Sequence, residues 1–184
     1  MKDIKKGHVH HGKTSKDVLS SKKVLEAVGL KSGDTFLDAG CGEGYISLTA
    51  SDLVGENGKI FALDVHPESI AHLKEVVADK NIKNLNALTA DLTDKIPLND
   101  DVVDVCVMAN VMHGFTINEE VDGVMREIKR VVKSHGIFAV VEFKKIEASR
   151  GPPYNIRIAS QELADLLSRY GFETVETTDV GEFH

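Results

Sequence analysis

The feature that most constrains this chain is an alternation of short apolar runs with longer amphipathic segments. The short runs stop at glycine, asparagine or acidic residues, which is typical of strands, and the longer segments repeat their apolar residues at helical spacing. Strands this apolar are covered on both faces, which favours a parallel sheet. Right-handed crossovers then predict a doubly wound α/β fold with helices on both faces of a mainly parallel sheet.

Six strands are predicted, with helices between them. The strands cover residues 35–39, 59–64, 86–90, 102–109, 137–143 and 173–178. The helices cover residues 15–29, 46–53, a segment that starts at Pro67, 118–132 and 160–170. Proline suits the first position of a helix, and Ser15, Asn118 and Ser160 are predicted to cap three of the others because their side chains can accept main-chain N–H groups.

The bulk composition limits the class of protein. With 184 residues, 42% of them hydrophobic, the chain can bury a core, and the lack of linkers and repeats predicts a single domain over residues 1–184. No apolar run reaches the roughly 18 residues that a membrane span needs. The charged N-terminus lacks the apolar core of a signal peptide. Cys41 and Cys106 lie in apolar segments without metal-type spacing, so we expect a reducing, cytoplasmic location and no metal.

Charge is distributed unevenly along the chain. The first 23 residues contain seven lysines and two aspartates, a formal +5, whereas the whole chain carries −7, so the remainder carries −12. An acidic body argues against nucleic acid as a partner. Residues 1–14 are expected to form a basic arm that is solvated or contacts an anionic substrate. Its histidines, His8, His10 and His11, lack a second ligand pair for a metal, and we interpret them as part of a lid over a ligand site.

A glycine-rich turn follows the first predicted strand. Its sequence, Asp38-Ala39-Gly40-Cys41-Gly42-Glu43-Gly44, would let the chain bend tightly and let a ligand approach the backbone and the helix N–H groups beyond it. A dinucleotide fingerprint, G-x-G-x-x-G, would place its third glycine at position 45. That position is Tyr45, and the glycine is Gly44. The spacing therefore disfavours a pyrophosphate grip and, with it, a nucleotide-cofactor oxidoreductase.

Polar residues also follow the next three strands, at the edge where an open parallel sheet binds its ligands. Asp64 comes 20 residues after the last glycine of the turn, and its two oxygens can accept both hydroxyls of a ribose or can cap the helix at Pro67. Asp91 can accept from an adenine amino group or can serve as a turn residue. Asn110 and His113 form a polar pair after the fourth strand.

Together, the glycine turn, Asp64, Ala90-Asp91 and the strand Asp104-Val105-Cys106-Val107 resemble class I S-adenosylmethionine-dependent methyltransferases. The likeness is to the small ubiquinone/menaquinone-biosynthesis branch, often called methyltransferase domain 11, and it covers about residues 20–182. It implies a Rossmann-like fold, an S-adenosylmethionine cofactor and S-adenosylhomocysteine as product. It also implies a set of cofactor-binding residues: Asp38, Gly40, Cys41, Gly42, Gly44, Asp64, Val65, Asp91, Leu92 and Asn110.

The resemblance assigns each of these residues a part of the cofactor. The glycine turn wraps the methionine part, and Asp38 braces the turn or reaches the amino group. Asp64 holds the ribose, Asp91 with Leu92 flanks the adenine, and Asn110 lies beneath the sulfonium. The chemistry is an in-line displacement at the methyl carbon, where positioning supplies much of the rate. A base is needed only for an acceptor that must lose a proton.

Two residues are candidates for catalysis on the acceptor side. His113 follows the fourth strand and is the candidate base, although a buried hydrogen-bonding histidine would also fit. The segment Gly151-Pro152-Pro153-Tyr154 follows the fifth strand, whereas amino-group methyltransferases carry Asn/Asp-Pro-Pro-Tyr after the fourth. We interpret this segment as a rigid loop at the rim of the acceptor pocket, with Tyr154 in contact with the acceptor.

The predicted function is methyl transfer to a small-molecule acceptor, since no inserted module provides a large docking surface. A protein or lipid-amine methyltransferase and a non-catalytic S-adenosylmethionine-binding module remain alternatives. The family's sheet usually also has an antiparallel seventh strand beside the fifth, and the given sequence stops where that strand would start, so we expect either that the sequence is cut short or that the sheet has six strands. We expect the uncovered edge to cause poor solubility or edge-to-edge pairing, while oligomeric state and acceptor identity stay open.

Overall fold

The structure, a computed structural model, describes residue 16 and residues 18–184. The predicted basic arm, residues 1–14, and the lid histidines lie outside the described residues. The strands are β1 Thr35–Ala39, β2 Lys59–Asp64, β3 Leu85–Thr89, β4 Val103–Ala109 and β5 Val132–Val141. The helices are α1 Ser21–Ala27, α2 Tyr45–Val54, α3 Pro67–Asp79, α4 Met112–Asn118, α5 Val121–Val131 and α6 Ser160–Ser168, with a 3₁₀ turn at Tyr154–Ile156.

The five strands form one parallel sheet in the order β3-β2-β1-β4-β5. The chain moves outward in one direction from β1 to β3 and then returns to the other side of β1 as β4. This change of direction opens a crevice at the carboxyl ends of β1 and β4, which is where such sheets bind ligands. The predicted doubly wound parallel α/β fold is confirmed.

Apolar side chains pack on both faces of the sheet, as a parallel sheet requires. In β1, Phe36 belongs to the cluster on one face and Leu37 to the cluster on the other, and both are fully buried. Leu73 of α3 packs with the first cluster, and Ile128 of α5 packs with the second. The strand side chains alternate between two helical layers, so the sheet edge that carries the crevice is held rigidly.

The helices near the acceptor side begin differently from the prediction. Asn118 does not cap a helix; it ends α4, an element the sequence pattern did not reveal, and Glu120 occupies the N-cap position of α5. Ser160 is the first residue of α6 rather than its cap, and the Glu162 carboxylate accepts the Ala159 N–H at 3.0 Å instead. α1 begins at Ser21 with the Ser20 side chain as its cap, so residues 18–20 of the predicted helix are not helical, whereas the predicted cap Ser15 lies outside the described residues.

The predicted sixth strand at residues 173–178 is wrong. Residues 172–180 have no regular secondary structure, and Val175 is 85% exposed. Its β-favouring residues have no neighbouring strand to pair with, and strand propensity alone does not order an unpaired segment. β5 also starts earlier than predicted: Val132 pairs with Val103, and a register shift separates this pair from the pairing of Ile137 with Val105.

β5 pairs only with β4 among the described residues, so it forms one edge of the sheet. The segment after α6 contacts this strand and the residues just beyond it without forming a further strand: the Phe172 ring packs on Phe138 at a centroid distance of 5.3 Å, and the Lys144 N–H donates to the Phe183 carbonyl at 2.8 Å. The expected edge-to-edge pairing stays a prediction. Within the described part of the chain, every helix is too short or too polar to cross a bilayer.

Candidate functional site

A cavity of about 270 Å³ lies at the carboxyl ends of β1, β2 and β4, beside the turn that follows β3. Most of the residues predicted to hold a cofactor lie on its wall: Asp38, Gly40, Cys41, Gly42, Asp64, Val65, Asp91, Leu92 and Asn110. The wall also includes residues that the sequence analysis did not assign: Glu43, Tyr45, Ile46, His66, Ala90, Thr93, Ala109, Val111, Phe115 and Glu120. Four separate turns along the chain therefore meet at one cavity.

The glycine turn is built by its positive φ angles and by close packing. Gly40 has φ of 84°, and a Cβ atom there would lie 2.6 Å from the side chain of Val111, in the turn that follows β4. Its N–H and that of Cys41 donate to the Leu63 carbonyl at 2.8 and 2.9 Å, which ties the turn to β2. An L side chain at this position would be strained and would collide with Val111, so the sequence requires glycine.

Gly44 has a different place from the one predicted for it. It occupies the N-cap position of α2 with φ of 80°, and a Cβ atom there would lie 2.5 Å from Leu73 of α3. It is not on the cavity wall. This glycine allows α2 and α3 to pack closely, and α2 then presents its first turn to the cavity.

Asp64 ends β2 and is held by two main-chain donors. Its Oδ2 accepts the Gly42 N–H at 2.7 Å and its Oδ1 accepts the His66 N–H at 2.9 Å. The second bond joins Asp64 to the N–H of His66, the N-cap residue of α3, and α3 has no side-chain cap hydrogen bond. Each carboxylate oxygen has a second lone pair, and the side chain lies on the cavity wall. Two paired hydroxyl groups, as on a ribose, match such a fixed pair of acceptors.

Asp38 is a carboxyl group inside the protein, only 2% exposed. The Ser47 hydroxyl donates to its Oδ2 at 2.6 Å. Burial raises the pKa of Asp38 to about 6, with a smaller contribution from the nearby Asp64 charge, while the Ser47 hydrogen bond acts in the opposite direction. A cation at the cavity would favour the charged form, so this side chain suits a ligand that carries positive charge.

Asp91 and Asn110 line the cavity from turns with their own internal hydrogen bonds. Asp91 Oδ1 accepts both the N–H and the hydroxyl of Thr93, at 2.8 and 2.7 Å, so the turn role weighed in the sequence analysis is present. Asn110 has a left-handed φ of 59°, and its N–H donates to the Val141 carbonyl at 2.8 Å. Its side-chain oxygen contacts the ring of His184 at 3.0 Å.

The two residues proposed for catalysis do not line this cavity. His113 lies in α4 with its side chain 7% exposed, and its Nδ1 lies 2.8 Å from Glu142 Oε2. The other Glu142 oxygen accepts the His113 N–H at 3.1 Å. Tyr154 lies in the 3₁₀ turn and is 46% exposed. The structure thus pairs His113 with a carboxylate and places Tyr154 on the outer surface.

The thiols of Cys41 and Cys106 are poorly suited to act as nucleophiles or as metal ligands. Burial raises the pKa of Cys41 far above its ordinary value, and the charges of Asp38 and Asp64 raise it further. Burial likewise raises the pKa of Cys106. Thiolate is the reactive and metal-binding form, so both side chains act as small apolar groups. Within the described residues no cluster of three metal-ligating side chains occurs.

Sequence reasoning missed three residues of the acceptor side: Glu142, Arg157 and His184. Arg157 is 5% exposed and donates to the carbonyls of four loop residues after β5, at 2.7 to 3.1 Å: Lys144, Ile146, Arg150 and Pro152. Glu142 pairs with His113, and His184 with Asn110. The sequence indicates only that an arginine, a glutamate and a histidine among apolar residues need hydrogen-bonding partners if they are buried. It does not indicate which residues those partners are.

Comparison with known proteins assigns the chain to a family. The model of a methyltransferase domain matches residues 30–174. A crystal structure of an S-adenosylmethionine-dependent methyltransferase from Aquifex aeolicus is 33% identical, with a TM-score of 0.83 over 94% of this chain and 90% of that one. The [4+2]-cyclase SpnF is 26% identical, with a TM-score of 0.73 over 87% of this chain and 58% of that one.

A curated relative, the ubiquinone/menaquinone biosynthesis C-methyltransferase UbiE of Azotobacter vinelandii, is 28% identical over 146 residues, which is 79% of this chain and 53% of that protein. The chain thus spans about half the length of the curated relatives it matches. The fold and the cavity define the class I S-adenosylmethionine-dependent methyltransferase type. This chain belongs to the methyltransferase-domain family, and the cofactor of that class is S-adenosylmethionine.

The residues at the cavity fit this cofactor. Asp64 offers two fixed acceptors that match a ribose diol, and Asp38 offers a buried carboxyl that a cation would ionise. Gly40 and Gly42 carry no side chain that would fill the space beside the turn.

Proposed function

We propose that this chain transfers the methyl group of S-adenosylmethionine to a small-molecule acceptor. The observation that carries the proposal is the fixed Asp64 carboxylate, held by the N–H groups of Gly42 and His66 at the wall of the cavity. Both donors come from turns of the backbone, so the carboxylate is oriented before any ligand arrives. Such preorganisation lowers the entropy that binding costs.

Each part of the cavity has a task in this mechanism. Asp64 accepts the two ribose hydroxyls, Asp91 and Leu92 flank the adenine, and the turn at Gly40 to Gly42 admits the methionine part next to the backbone. Asp38 stays ionised when a cation lies near it. The cofactor supplies a methyl group on a sulfonium, which leaves S-adenosylhomocysteine once the acceptor atom has taken the methyl.

Positioning carries most of the rate in such a reaction, because the methyl donor is already activated. An acceptor that must lose a proton also needs a base, and we propose His113 for this role. Its Nδ1 lies 2.8 Å from the Glu142 carboxylate, so in the neutral ring Nδ1 donates to Glu142 and Nε2 is the acceptor nitrogen. Tyr154, exposed on the loop after β5, is our candidate contact for the acceptor.

Relatives of this chain include enzymes named for C-methylation in ubiquinone and menaquinone biosynthesis. We therefore propose aromatic, quinol-like small molecules as the first acceptors to test. The free cysteines are consistent with work in the reducing cytoplasm, which we include in the proposal. The SpnF neighbour, named as a cyclase, shows why binding and methyl transfer must be measured separately.

The binding test is calorimetry with S-adenosylmethionine, S-adenosylhomocysteine and NAD. We expect the first two to bind and NAD not to bind. Asp64→Asn should weaken the binding of both by on the order of 100-fold, because two hydrogen bonds to a charged acceptor are lost or reversed. Asp52→Asn is the matched control, since Asp52 is exposed on α2 and away from the cavity. Equal affinity of Asp64→Asn and wild type would refute the ribose assignment.

The transfer test uses cofactor labelled on the methyl group. Small-molecule and protein fractions of a cell extract are incubated separately with the chain, and quinol-like compounds are added as defined acceptors. We expect label in the small-molecule fraction. Label only in the protein fraction would favour the alternative of a protein methyltransferase, and tight binding without any transfer would favour a non-catalytic module.

A further inference from the structure

Asn110 stands out among the residues of the cavity wall because its backbone is strained. It has φ of 59°, a conformation that costs a non-glycine residue energy and that concentrates at functional sites. Its N–H is fixed by the Val141 carbonyl at 2.8 Å. The backbone conformation and this hydrogen bond fix the position of the Asn110 Cβ atom. The orientation of the side-chain amide depends on the groups that the amide contacts.

The amide contacts His184, which lies 74 residues further along the chain. His184 Nε2 is 3.0 Å from Asn110 Oδ1. A carbonyl oxygen can only accept, so Nε2 carries the hydrogen and donates it. Burial lowers the pKa of His184, while the charge of Glu142 and a hydrogen bond with the Val18 backbone act in the opposite direction. In the neutral ring, Nε2 then carries the hydrogen and Nδ1 does not.

A histidine at position 184 has a cost in stability. It is 5% exposed and packs against the Phe143 ring at a centroid distance of 4.3 Å. Its Nδ1 is buried and has no hydrogen-bond partner among the described residues. An unpartnered buried polar atom is rare and calls for a reason. An apolar ring would pack on Phe143 without this penalty, but it would remove the donor to the Asn110 oxygen.

The backbone around His184 is organised to present the ring. Its carbonyl accepts the N–H groups of Val180 and Gly181 at 3.1 and 3.2 Å. The Lys144 N–H donates to the Phe183 carbonyl, and the Lys144 ammonium forms a 3.0 Å ion pair with Asp179. Residues 179–184, which we call the Asn110 clamp, are therefore fixed to the chain just after β5.

We propose that His184 is a positioning residue, which donates a hydrogen bond to Asn110 and so holds the amide of this cavity-wall residue in one orientation for the cofactor. The proposal rests on the proposed function, since it concerns the same cavity. His184 itself is not on the cavity wall and acts through Asn110.

The test compares substitutions at residue 184 in two backgrounds by calorimetry with S-adenosylhomocysteine. His184→Phe keeps an aromatic ring on Phe143 but removes the donor, and we expect about 2- to 12-fold weaker binding, the value of one hydrogen bond. His184→Gln keeps an N–H donor and should recover most of the affinity. Asn110→Gly suits the left-handed backbone and removes the amide. In that background His184→Phe should change the affinity by less than about twofold.

Thermal unfolding separates positioning from a structural role. The His184→Phe chain loses the hydrogen bond to Asn110 and the unpartnered nitrogen together, so we expect its unfolding temperature to stay close to the wild-type value. Ile128→Ala, a cavity-forming change on the fully buried face of α5, away from the clamp and the cavity wall, should lower the unfolding temperature without weakening ligand binding. The amide NH₂ resonances of Asn110 provide a second readout, and they should lose their shift from the free-amide position in His184→Phe.

Three results would overturn the proposal. The first is unchanged affinity of His184→Phe in the wild-type background. The second is an equal loss in the Asn110→Gly background, which would mean that His184 acts through another group. The third is a loss of affinity that His184→Gln does not restore. If the wild-type chain itself binds no ligand, the proposed function fails first, and this is visible before any variant is made.

Discussion

The two halves of the crevice are built in different ways. The cofactor half consists of β1, β2 and β3 with α2 and α3, and its polar groups are fixed by main-chain donors or by residues close in sequence, such as Ser47 on Asp38. The acceptor half consists of β4, β5 and the segments that follow them. Its polar groups are fixed by side chains far along the chain, such as Glu142 on His113 and His184 on Asn110. We infer that cofactor binding and acceptor handling can be changed separately, except at Asn110, which lies on the wall of the cofactor cavity.

The largest expected effect is a loss of stability from a change in the acceptor half, with cofactor affinity unchanged. Arg157→Met removes four charge-assisted hydrogen bonds to loop carbonyls and the contact of the guanidinium with the Phe143 ring. At about 1 kcal/mol for each hydrogen bond, we expect a loss of about 4 kcal/mol in the free energy of unfolding, measured with urea. The affinity for S-adenosylhomocysteine, measured at a temperature where the variant is folded, should stay within about twofold of wild type.

Arg157→Lys is the matched variant, because it keeps the charge but lacks the planar set of donors. It should recover less than half of the lost stability. A large loss of cofactor affinity in folded Arg157→Met would show that the two halves are coupled and would remove the basis of the comparison.

The same division explains which parts of the molecule could be predicted from the sequence. The bounds of β1 and β2 and the acid near the carboxyl end of each strand follow from local rules, since the apolar run of a buried strand stops near a glycine or a carboxylate. The Asp64 bonds were within reach for the same reason, as both donors lie in adjacent turns. Asp38 could be placed beside the turn, but its raised pKa depends on burial that no local pattern reports.

The acceptor half depends on contacts that local rules do not contain. α4 escaped prediction because its seven residues include glycine and threonine and are too few to show helical spacing. The strand predicted at residues 173–178 failed because strand propensity needs a partner strand. The pairing of Asn110 with His184 spans 74 residues, and nothing in the sequence near either residue indicates it.

A second prediction concerns Asp38 in the cofactor half, where removal of the charge should raise stability and weaken cofactor binding. The pKa of Asp38 is about 6 in the folded protein, against an ordinary value of 3.8 that we take for the unfolded chain. Between these values the folded state binds a proton that the unfolded state has released. The free energy of unfolding therefore falls as pH rises from 4 to 6. At pH 7 the buried charge costs about 3 kcal/mol. Asp38→Asn should therefore be more stable than wild type by up to about 3 kcal/mol at pH 7 and equal to it at pH 4.

Binding should move in the other direction. Asp38→Asn lacks the charge that favours a cationic cofactor, and we expect S-adenosylmethionine to bind about 10- to 150-fold more weakly at pH 7.5. In wild type the affinity should fall as pH drops below 6, because protonation of Asp38 competes with the cation, and this dependence should be absent in the variant. Calorimetry from pH 5 to 8 measures both. A variant that is less stable at pH 7, or that binds as tightly as wild type, would contradict the assignment.

The smallest expected effect concerns the pair of His113 and Glu142. Glu142→Gln replaces the carboxylate oxygen that faces His113 Nδ1 by an amide, so one buried hydrogen bond must be reversed or lost. We expect a loss of about 1.5 kcal/mol in the free energy of unfolding and no change in S-adenosylhomocysteine affinity. The exposed Glu147, on the loop that follows β5, provides the control Glu147→Gln, which should change neither.

The same variant tests whether His113 acts as a base. With glutamine at 142, the amide can donate to Nδ1, so Nε2 carries the hydrogen and can no longer accept a proton. With an acceptor that must lose a proton, kcat should then fall at least about 100-fold while KM for the cofactor stays the same, in line with the usual contribution of general base catalysis. If kcat stays at the wild-type value, the pair serves only to anchor α4, and positioning alone performs the transfer. In that case the acceptor half would contribute shape rather than proton chemistry, and the contrast between the two halves would lie in what they bind.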